Sequence, residues 1–142
     1  MFKIFITIFL LAVPLIVFSQ PPVKGPIDGK TFVVDLYKEG KTKLYDHDDL
    51  KFNAGKFKSV LFVDWGFTKA TKYQITVDST SSATKIYSWT VETINDIKEK
   101  MTWSGTITGE DIEGTSELVN AKGETKYSFT FNGKLKGKAK KK

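Results

Sequence analysis

The sequence predicts an all-β protein, a single antiparallel up-and-down β-barrel of about eight strands. Three observations favour this fold class. Short runs rich in β-branched and aromatic residues follow one another between residues 31 and 135. Turn-forming residues separate these runs at intervals of about ten residues. No segment in this range has a convincing long helical period.

Each predicted strand ends at a turn signal. Residues 31–37, TFVVDLY, are followed by KEGK, and residues 73–78, YQITVD, are followed by STSSAT. Asn53, Ala54 and Gly55 separate two further strands. The eight predicted strands are residues 31–37, 49–52, 56–63, 73–78, 85–91, 100–108, 111–119 and 125–135.

Two connecting segments are less regular than the strands. In residues 92–101, Ile94, Ile97 and Met101 have helical spacing, but Asn95 and Asp96 are typical of a tight turn. We expect a hairpin there. Residues 64–72 form the longest irregular piece, and we expect them to be a lid or a single turn of helix.

Residues 109–116, GEDIEGTS, resemble a phosphate-binding loop, but Thr115 stands at the position of the essential lysine. The acidic residues would also repel phosphate. A two-residue turn at Glu110-Asp111 instead gives a hairpin in which Trp103 lies opposite Leu118, with one apolar face and one polar face. The segment is therefore interpreted as a hairpin.

A second turn at Lys122-Gly123 assigns strand 111–119 the same inner face, because it again pairs apolar or small residues with apolar residues. The predicted pairs are Leu118–Tyr127, Ser116–Phe129 and Gly114–Phe131. For residues 85–91, the choice between Tyr87 with Trp89 and Ile86 with Ser88 stays open. The other residues expected to point inward are Phe32, Val34, Leu36, Ile75 and Val77.

The chain begins with the features of a secretory signal peptide. Lys3 precedes an apolar run that is shorter than a membrane span and is interrupted by Pro14. We therefore predict a signal peptide at residues 1–19 and an exported protein, either periplasmic or extracellular. An extended lead-in at residues 20–30, a β-barrel domain at 31–136 and a basic disordered tail at 137–142 complete the predicted organisation.

The basic charge is concentrated at the end of the chain. All 22 basic residues are lysines, and six of them lie in the last nine residues, KLKGKAKKK. Such a tail is typical of a solvated segment, and it also provides a means to attract an anionic polymer or a membrane surface. The body is nearly neutral, so specific nucleic-acid binding is not expected. The absence of arginine disfavours sites that capture phosphate or carboxylate with a bidentate clamp.

The segments GPIDGKTFVVDLY, WSGTITGEDIEGTSE and GETKYSFTFNGKLK give the chain a resemblance to the lipocalin-like, or calycin, group of secreted β-barrels. The resemblance covers residues 26–136 and implies an up-and-down barrel with an interior ligand site. The Arg-x-Tyr clamp of fatty-acid binders is absent, and only Lys126-Tyr127 stands at a comparable place. The resemblance therefore does not identify the ligand.

The residues offer little for catalysis or for a cofactor. The only histidine, His47, lies in the acidic run DHDD at residues 46–49, which we interpret as a solvated turn and not as a metal site. Cysteine is absent, and no nucleophile motif accompanies the histidine. We expect no catalytic residues, no metal, no cofactor and no enzymatic activity.

Two hypotheses for function remain open. In the first, the protein binds a small apolar or amphiphilic ligand inside the barrel. In the second, side chains fill the barrel, and the protein acts as an envelope-associated interaction protein through its outer face or its lysine tail. The residues predicted to line an interior site are Phe57, Leu61, Trp103, Ile107, Leu118, Tyr127, Phe129 and Phe131.

Overall fold

The computed structural model describes residues 25–78 and 85–137 and confirms the predicted fold class. The chain is all-β, and its strands form one antiparallel, nearly closed barrel that is compatible with a calycin-like fold. The predicted signal peptide lies outside the described residues, as do residues 20–24 of the lead-in and 138–142 of the tail. Within the described ranges, no helix is long and apolar enough to cross a membrane.

Nine strands form one sheet in the order β4-β3-β2-β1-β9-β8-β7-β6-β5, and every neighbouring pair is antiparallel. A 3₁₀ helix at Leu61–Trp65 follows the third strand. The strands are β1 Lys30–Lys38, β2 Leu44–Asn53, β3 Lys56–Ser59, β4 Thr71–Lys72, β5 Gln74–Asp78, β6 Ile86–Ile94, β7 Lys100–Thr108, β8 Asp111–Val119 and β9 Thr125–Leu135.

The barrel closes through a single bent segment of chain. β4 pairs with β3 and β5 pairs with β6, yet only Tyr73 separates β4 from β5. β4 also lies against β6. The backbone N–H of Tyr73 donates to the carbonyl of Gly55 at 3.2 Å. β4 and β5 thus take the place of one strand, so the nine strands match the prediction of about eight.

A group of polar contacts ties the N-terminal turn to the barrel end that contains Tyr73. The Tyr73 hydroxyl donates to the Asp28 carboxylate, and the Gly55 N–H donates to the same carboxylate at 3.1 Å. Burial, together with the Asp28 hydrogen bond and charge, raises the pKa of Tyr73. The Tyr73 ring also packs edge-on against Phe52 at 5.2 Å. This end of the barrel is therefore closed by the lead-in and by the β2–β3 turn.

Two predicted segments have different structures from those expected. The DHDD run is not a solvated turn, because β2 begins at Leu44 and includes all four residues. Strand 56–63 is also shorter than predicted, since β3 ends at Ser59 and the 3₁₀ helix follows. Gly66, with φ 92°, ends this helix in a left-handed conformation that glycine adopts at little cost. The hairpin predicted for residues 92–101 is confirmed.

The β7–β8 register differs from the prediction by two residues. The turn lies at Gly109-Glu110, so Trp103 faces Ser116 and not Leu118. Gly109, with φ 62°, takes the left-handed conformation that a two-residue hairpin turn needs at its first position. A shift of two residues leaves every side chain on its predicted face, because side chains alternate with a period of two.

The predicted β8–β9 register is confirmed at all three pairs of the inner face. Strand β6, whose orientation stayed open, buries Trp89 with 1% of its surface exposed. Val77 was predicted to point inward but is 52% exposed. The reason is its place on β5, which pairs with only one neighbouring strand.

Glycines on facing strands allow aromatic rings to occupy the interior. Gly105 pairs with Gly114, and Gly114 pairs with Phe131. A Cβ atom on Gly114 would overlap the carbonyl oxygen of Ser104 and would lie 2.7 Å from the Phe131 ring. Two backbones and a ring thus meet at a point where no other residue fits.

We expect Gly114→Ala to lower the free energy of unfolding by about 3 kcal/mol, because the added methyl group meets backbone atoms that cannot move aside. Urea unfolding followed by tryptophan fluorescence would measure the change. Gly137→Ala is the matched control, since a Cβ atom there meets nothing within 4 Å. Equal stability of the two variants would contradict this account of the sheet.

Candidate functional site

The structure brings together the residues predicted to line an interior site. Six of the eight are buried, and Leu61 and Tyr127 are half-buried. Their rings contact one another at centroid distances of 5.3 Å for Phe57–Trp103, 5.6 Å for Trp103–Phe131 and 5.8 Å for Tyr127–Phe129. The buried six are Phe57, Trp103, Ile107, Leu118, Phe129 and Phe131.

These residues pack as a core in the described structure. Phe52 and Trp89 add two rings, with Phe57 stacked on Trp89 at 5.4 Å. An interior void beside Trp103 and Met101 measures about 10 Å³. That volume is about the minimum for one water molecule and far below that of a small-molecule site. Two buried polar atoms, Trp89 Nε1 and Ser116 Oγ, have no hydrogen-bond partner among the described residues.

The 3₁₀ helix inserts Phe62 into one end of the barrel. Phe62 is fully buried, and its ring lies 5.8 Å from Trp103 and 5.8 Å from Phe129. The sequence pattern missed this helix, because SVLFV reads equally well as the end of a strand. The only local signal was Gly66, which stops the helix. Phe62 therefore belongs to the core and closes this end of the barrel.

Asp48 holds the start of this helix. The Ser59 hydroxyl and the Leu61 N–H, the latter at 2.9 Å, both donate to the Asp48 carboxylate. Asp48 is 3% exposed. Burial raises its pKa to about 6, although the hydrogen bonds from Ser59 and Leu61 oppose the shift. One member of the DHDD run is therefore a buried positioning group.

Asn95 holds the end of the helix. Its amide donates to the Trp65 carbonyl at 3.1 Å and to the Glu99 carboxylate at 3.0 Å. Its carbonyl oxygen accepts the Glu99 N–H at 2.8 Å. Glu99 in turn pairs with Lys126 at 2.8 Å, and the hydrogen bonds from Lys126 and Asn95 lower its pKa. The β6–β7 hairpin therefore holds the C-terminal end of the 3₁₀ helix in place.

Partly exposed aromatic rings lie where the helix meets the solvent, at the end that we call the mouth. The Trp65 ring contacts Tyr127 at 5.4 Å, and the Tyr45 ring contacts Phe129 at 5.0 Å. The Lys38 ammonium lies 5.4 Å from the centroids of both Tyr45 and Tyr127. Burial raises the pKa of Tyr45, with smaller contributions from Tyr127 and Asp46. The mouth therefore continues the buried aromatic core to the surface.

A concavity of about 350 Å³ adjoins the mouth. Its volume lies within the range of small-molecule sites. Leu44 and Tyr45, which are 40% and 36% exposed, provide apolar surface, and the other lining side chains are cationic. The lining residues are Lys38, Lys41, Lys43, Leu44 and Tyr45. Such a surface can hold an anionic group beside a short apolar segment.

A further concavity, of about 760 Å³, lies on the outer face of the sheet. Asn132 stands between Asp35 and Glu113 in one cross-strand row, so the structure places two carboxylates that the sequence left apart on the same face. His47 Nδ1 lies 2.6 Å from Asp35 Oδ1, with His47 65% exposed. These side chains are solvated. The groove is therefore a polar surface without the desolvation typical of a catalytic pair.

In the part of the chain that the structure describes, no three acidic or histidine side chains are arranged to hold a metal ion.

The buried carboxyl group of Asp48 should make the free energy of unfolding depend on pH. Its folded pKa is raised from 3.8 to about 6, so its contribution to stability is fully present below about pH 4 and is lost as the pH rises through 6. Between pH 4 and pH 7 the wild type should lose up to about 3 kcal/mol relative to Asp48→Asn, whose amide does not titrate. Urea unfolding across this pH range would measure the difference.

Asp46→Asn, on the same strand but exposed, removes the same charge and controls for the change in net charge. A difference between wild type and Asp48→Asn that stays constant with pH would show that Asp48 is not buried as described.

Comparisons of this chain with protein-family models, with curated proteins and with solved structures found no match.

Proposed function

We propose that this chain is an exported, lipocalin-like binding protein that holds a small anionic amphiphile at the mouth of the barrel. The observation that carries the proposal is the pairing of a cationic concavity with partly exposed aromatic rings. Lys38, Lys41 and Lys43 would meet the anionic head group. Tyr45, Trp65 and Tyr127 would contact the apolar part.

The chemistry of the concavity favours this class of ligand. A lysine ammonium attracts a carboxylate or phosphate as a point charge and imposes no fixed geometry. Tyrosine and tryptophan present an apolar body with a polar tip, which suits a site where one end of the ligand stays wet. Ligands without a charge would gain only the aromatic contacts. The site would therefore prefer anionic amphiphiles over neutral ones of the same chain length.

The interior residues take a supporting role in this proposal. Phe129 lies directly beneath Tyr45, and Phe62 lies beneath Trp65 at 5.0 Å. For a ligand to reach Trp103, Phe62 would have to leave the core. Because Asp48 and Asn95 hold both ends of the 3₁₀ helix, that displacement would cost two sets of buried hydrogen bonds. Binding at the mouth needs no such change.

A second candidate function is an envelope-associated interaction protein with a filled barrel. The observation in its favour is the small interior void, about 10 Å³, beside Trp103. In that case the barrel serves only as a rigid scaffold, and the outer face or the lysine tail contacts the partner. The two candidates differ in one measurable property, the uptake of a small molecule.

Titration with decyl phosphate below its micellar concentration, followed by calorimetry and tryptophan fluorescence, tests the proposal. We expect a single site whose affinity falls by about tenfold in the double variant Lys41→Gln and Lys43→Gln, because two cationic partners of the head group are lost. Decyl maltoside has the same chain length but no charge. The wild type should bind decyl maltoside no more tightly than the double variant binds decyl phosphate.

Two tryptophan variants locate the bound molecule. In Trp65→Phe the fluorescence change should disappear while the calorimetric binding remains, since Trp65 is the tryptophan at the mouth. Trp103→Phe is the matched control and should keep the change. The opposite pattern would place the ligand in the interior. Absence of heat with every amphiphile would favour the interaction protein.

A further inference from the structure

Four lysines occupy the outer face of β2, β3 and β4. We call this surface the lysine face and define it by Lys51, Lys56, Lys58 and Lys72. Lys51 stands directly opposite Lys58, and Lys56 stands directly opposite Lys72. None of the four forms an ion pair with a described side chain. The nearest acidic residue of this face, Asp49, instead pairs with Lys136 at 3.6 Å.

This arrangement does not serve the fold. Like charges directly opposite one another on antiparallel strands destabilise a sheet, and here the unfavourable pair occurs twice on consecutive strand pairs. Lysines on edge strands commonly prevent aggregation. That role does not explain Lys51, because β2 is paired at this position with Thr31 of β1 and with Lys58 of β3. Removal of the charges should therefore leave the barrel at least as stable.

The C-terminal tail starts beside the lysine face. The Lys136 N–H donates to the Thr31 carbonyl at 2.8 Å, and Thr31 lies opposite Lys51 across the β1–β2 pair. The residues that follow, GKAKKK, hold four more lysines. The folded face and the start of the tail are thus on one side of the barrel, although Lys136 lies at least 64 residues after every lysine of the face in the sequence.

We propose that the lysine face docks the protein on the anionic headgroups of a lipid bilayer. Lysine ammonium groups spread over three strands match a surface whose phosphates can move laterally to meet them. Each lysine near such a surface strengthens binding by about fivefold. This surface is separate from the mouth, so the inference does not depend on the proposed ligand.

A linear polyanion fits this face less well than a bilayer does. The lysines form two cross-strand pairs that are offset by two residues along β3, so they run obliquely across three strands. The neighbouring side chains of the same face are Thr31, Asp49 and Asn53. None of these is aromatic, and single-stranded nucleic acid is held largely by stacking of its bases on aromatic rings. Without arginine, bidentate contacts to a fixed phosphate spacing are also missing.

Vesicle co-sedimentation tests the proposal. The chain from residue 20 to residue 142 is suitable, because every core residue lies between Ile27 and Phe131. Vesicles of phosphatidylcholine with about a third phosphatidylglycerol are compared with phosphatidylcholine alone. The wild type should bind only the anionic vesicles, and added salt should release it. Failure to bind anionic vesicles at low salt would overturn the proposal.

A charge-matched pair of variants tests the position of the surface. Changing all four residues of the lysine face to glutamine should lower the partition coefficient at least tenfold with the tail intact, which is more than the effect of losing a single lysine near the surface. The control changes Lys85, Lys98, Lys100 and Lys122 to glutamine, which removes the same charge from β7 and from the segments next to β6, β7 and β8. This control should cost less than about threefold. Thermal unfolding checks that both variants fold.

The remaining outcomes discriminate the sources of binding. Equal losses in the two variants would show attraction by net charge and overturn the proposal. A loss on deletion of residues 138–142, without any loss in the lysine-face variant, would assign binding to the tail alone and would also overturn it. Stronger retention of the wild type on heparin or DNA than on anionic vesicles, at the same salt concentration, would identify a linear polyanion instead.

Discussion

The filling of the barrel with aromatic rings is the constraint on which the rest of the structure depends. Trp89, Trp103 and Phe131 meet near the centre, where large rings from neighbouring strands would collide if every position carried a side chain. Gly105 and Gly114 remove that collision by facing each other on β7 and β8. The core therefore depends on glycine as much as on the aromatic residues, because close packing tolerates neither voids nor overlap.

The same constraint explains why polar side chains are buried at the mouth. The strands leave one end of the barrel open, and the 3₁₀ helix fills it by inserting Phe62. A short helix has unsatisfied backbone groups at both ends, and these need partners when they are buried. Asp48 accepts the N–H of Leu61, while Asn95 donates to the carbonyl of Trp65. The buried polar groups thus hold the closing helix and are not by themselves signs of catalysis.

The sequence predicts the faces of the strands better than it predicts their ends. Alternation identified the inner side of β7, β8 and β9, and it did so even where the predicted turn at Glu110-Asp111 was misplaced, since a two-residue shift preserves the faces. The prediction of a turn for the DHDD run was wrong because distant partners override the local composition. Local composition favours a turn, but pairing with β1 and hydrogen bonds from Ser59 and Leu61 hold Asp48 in a strand. No local pattern reports such distant partners.

The candidate sites were harder to predict because cross-strand pairing creates them. Lys51 and Lys58 are adjacent only because β2 and β3 form a hairpin, and Lys72 joins them only because the chain returns beside β3. Overall composition hides the pattern, since the lysines of the body are balanced by acids elsewhere. A protein whose net charge is near zero can still carry its positive and negative side chains on different parts of its surface. A charged molecule is influenced mainly by the side chains within about a Debye length of it. In this protein the filled core fixes the fold, and the pairing of β2, β3 and β4 fixes where these lysines lie on its surface.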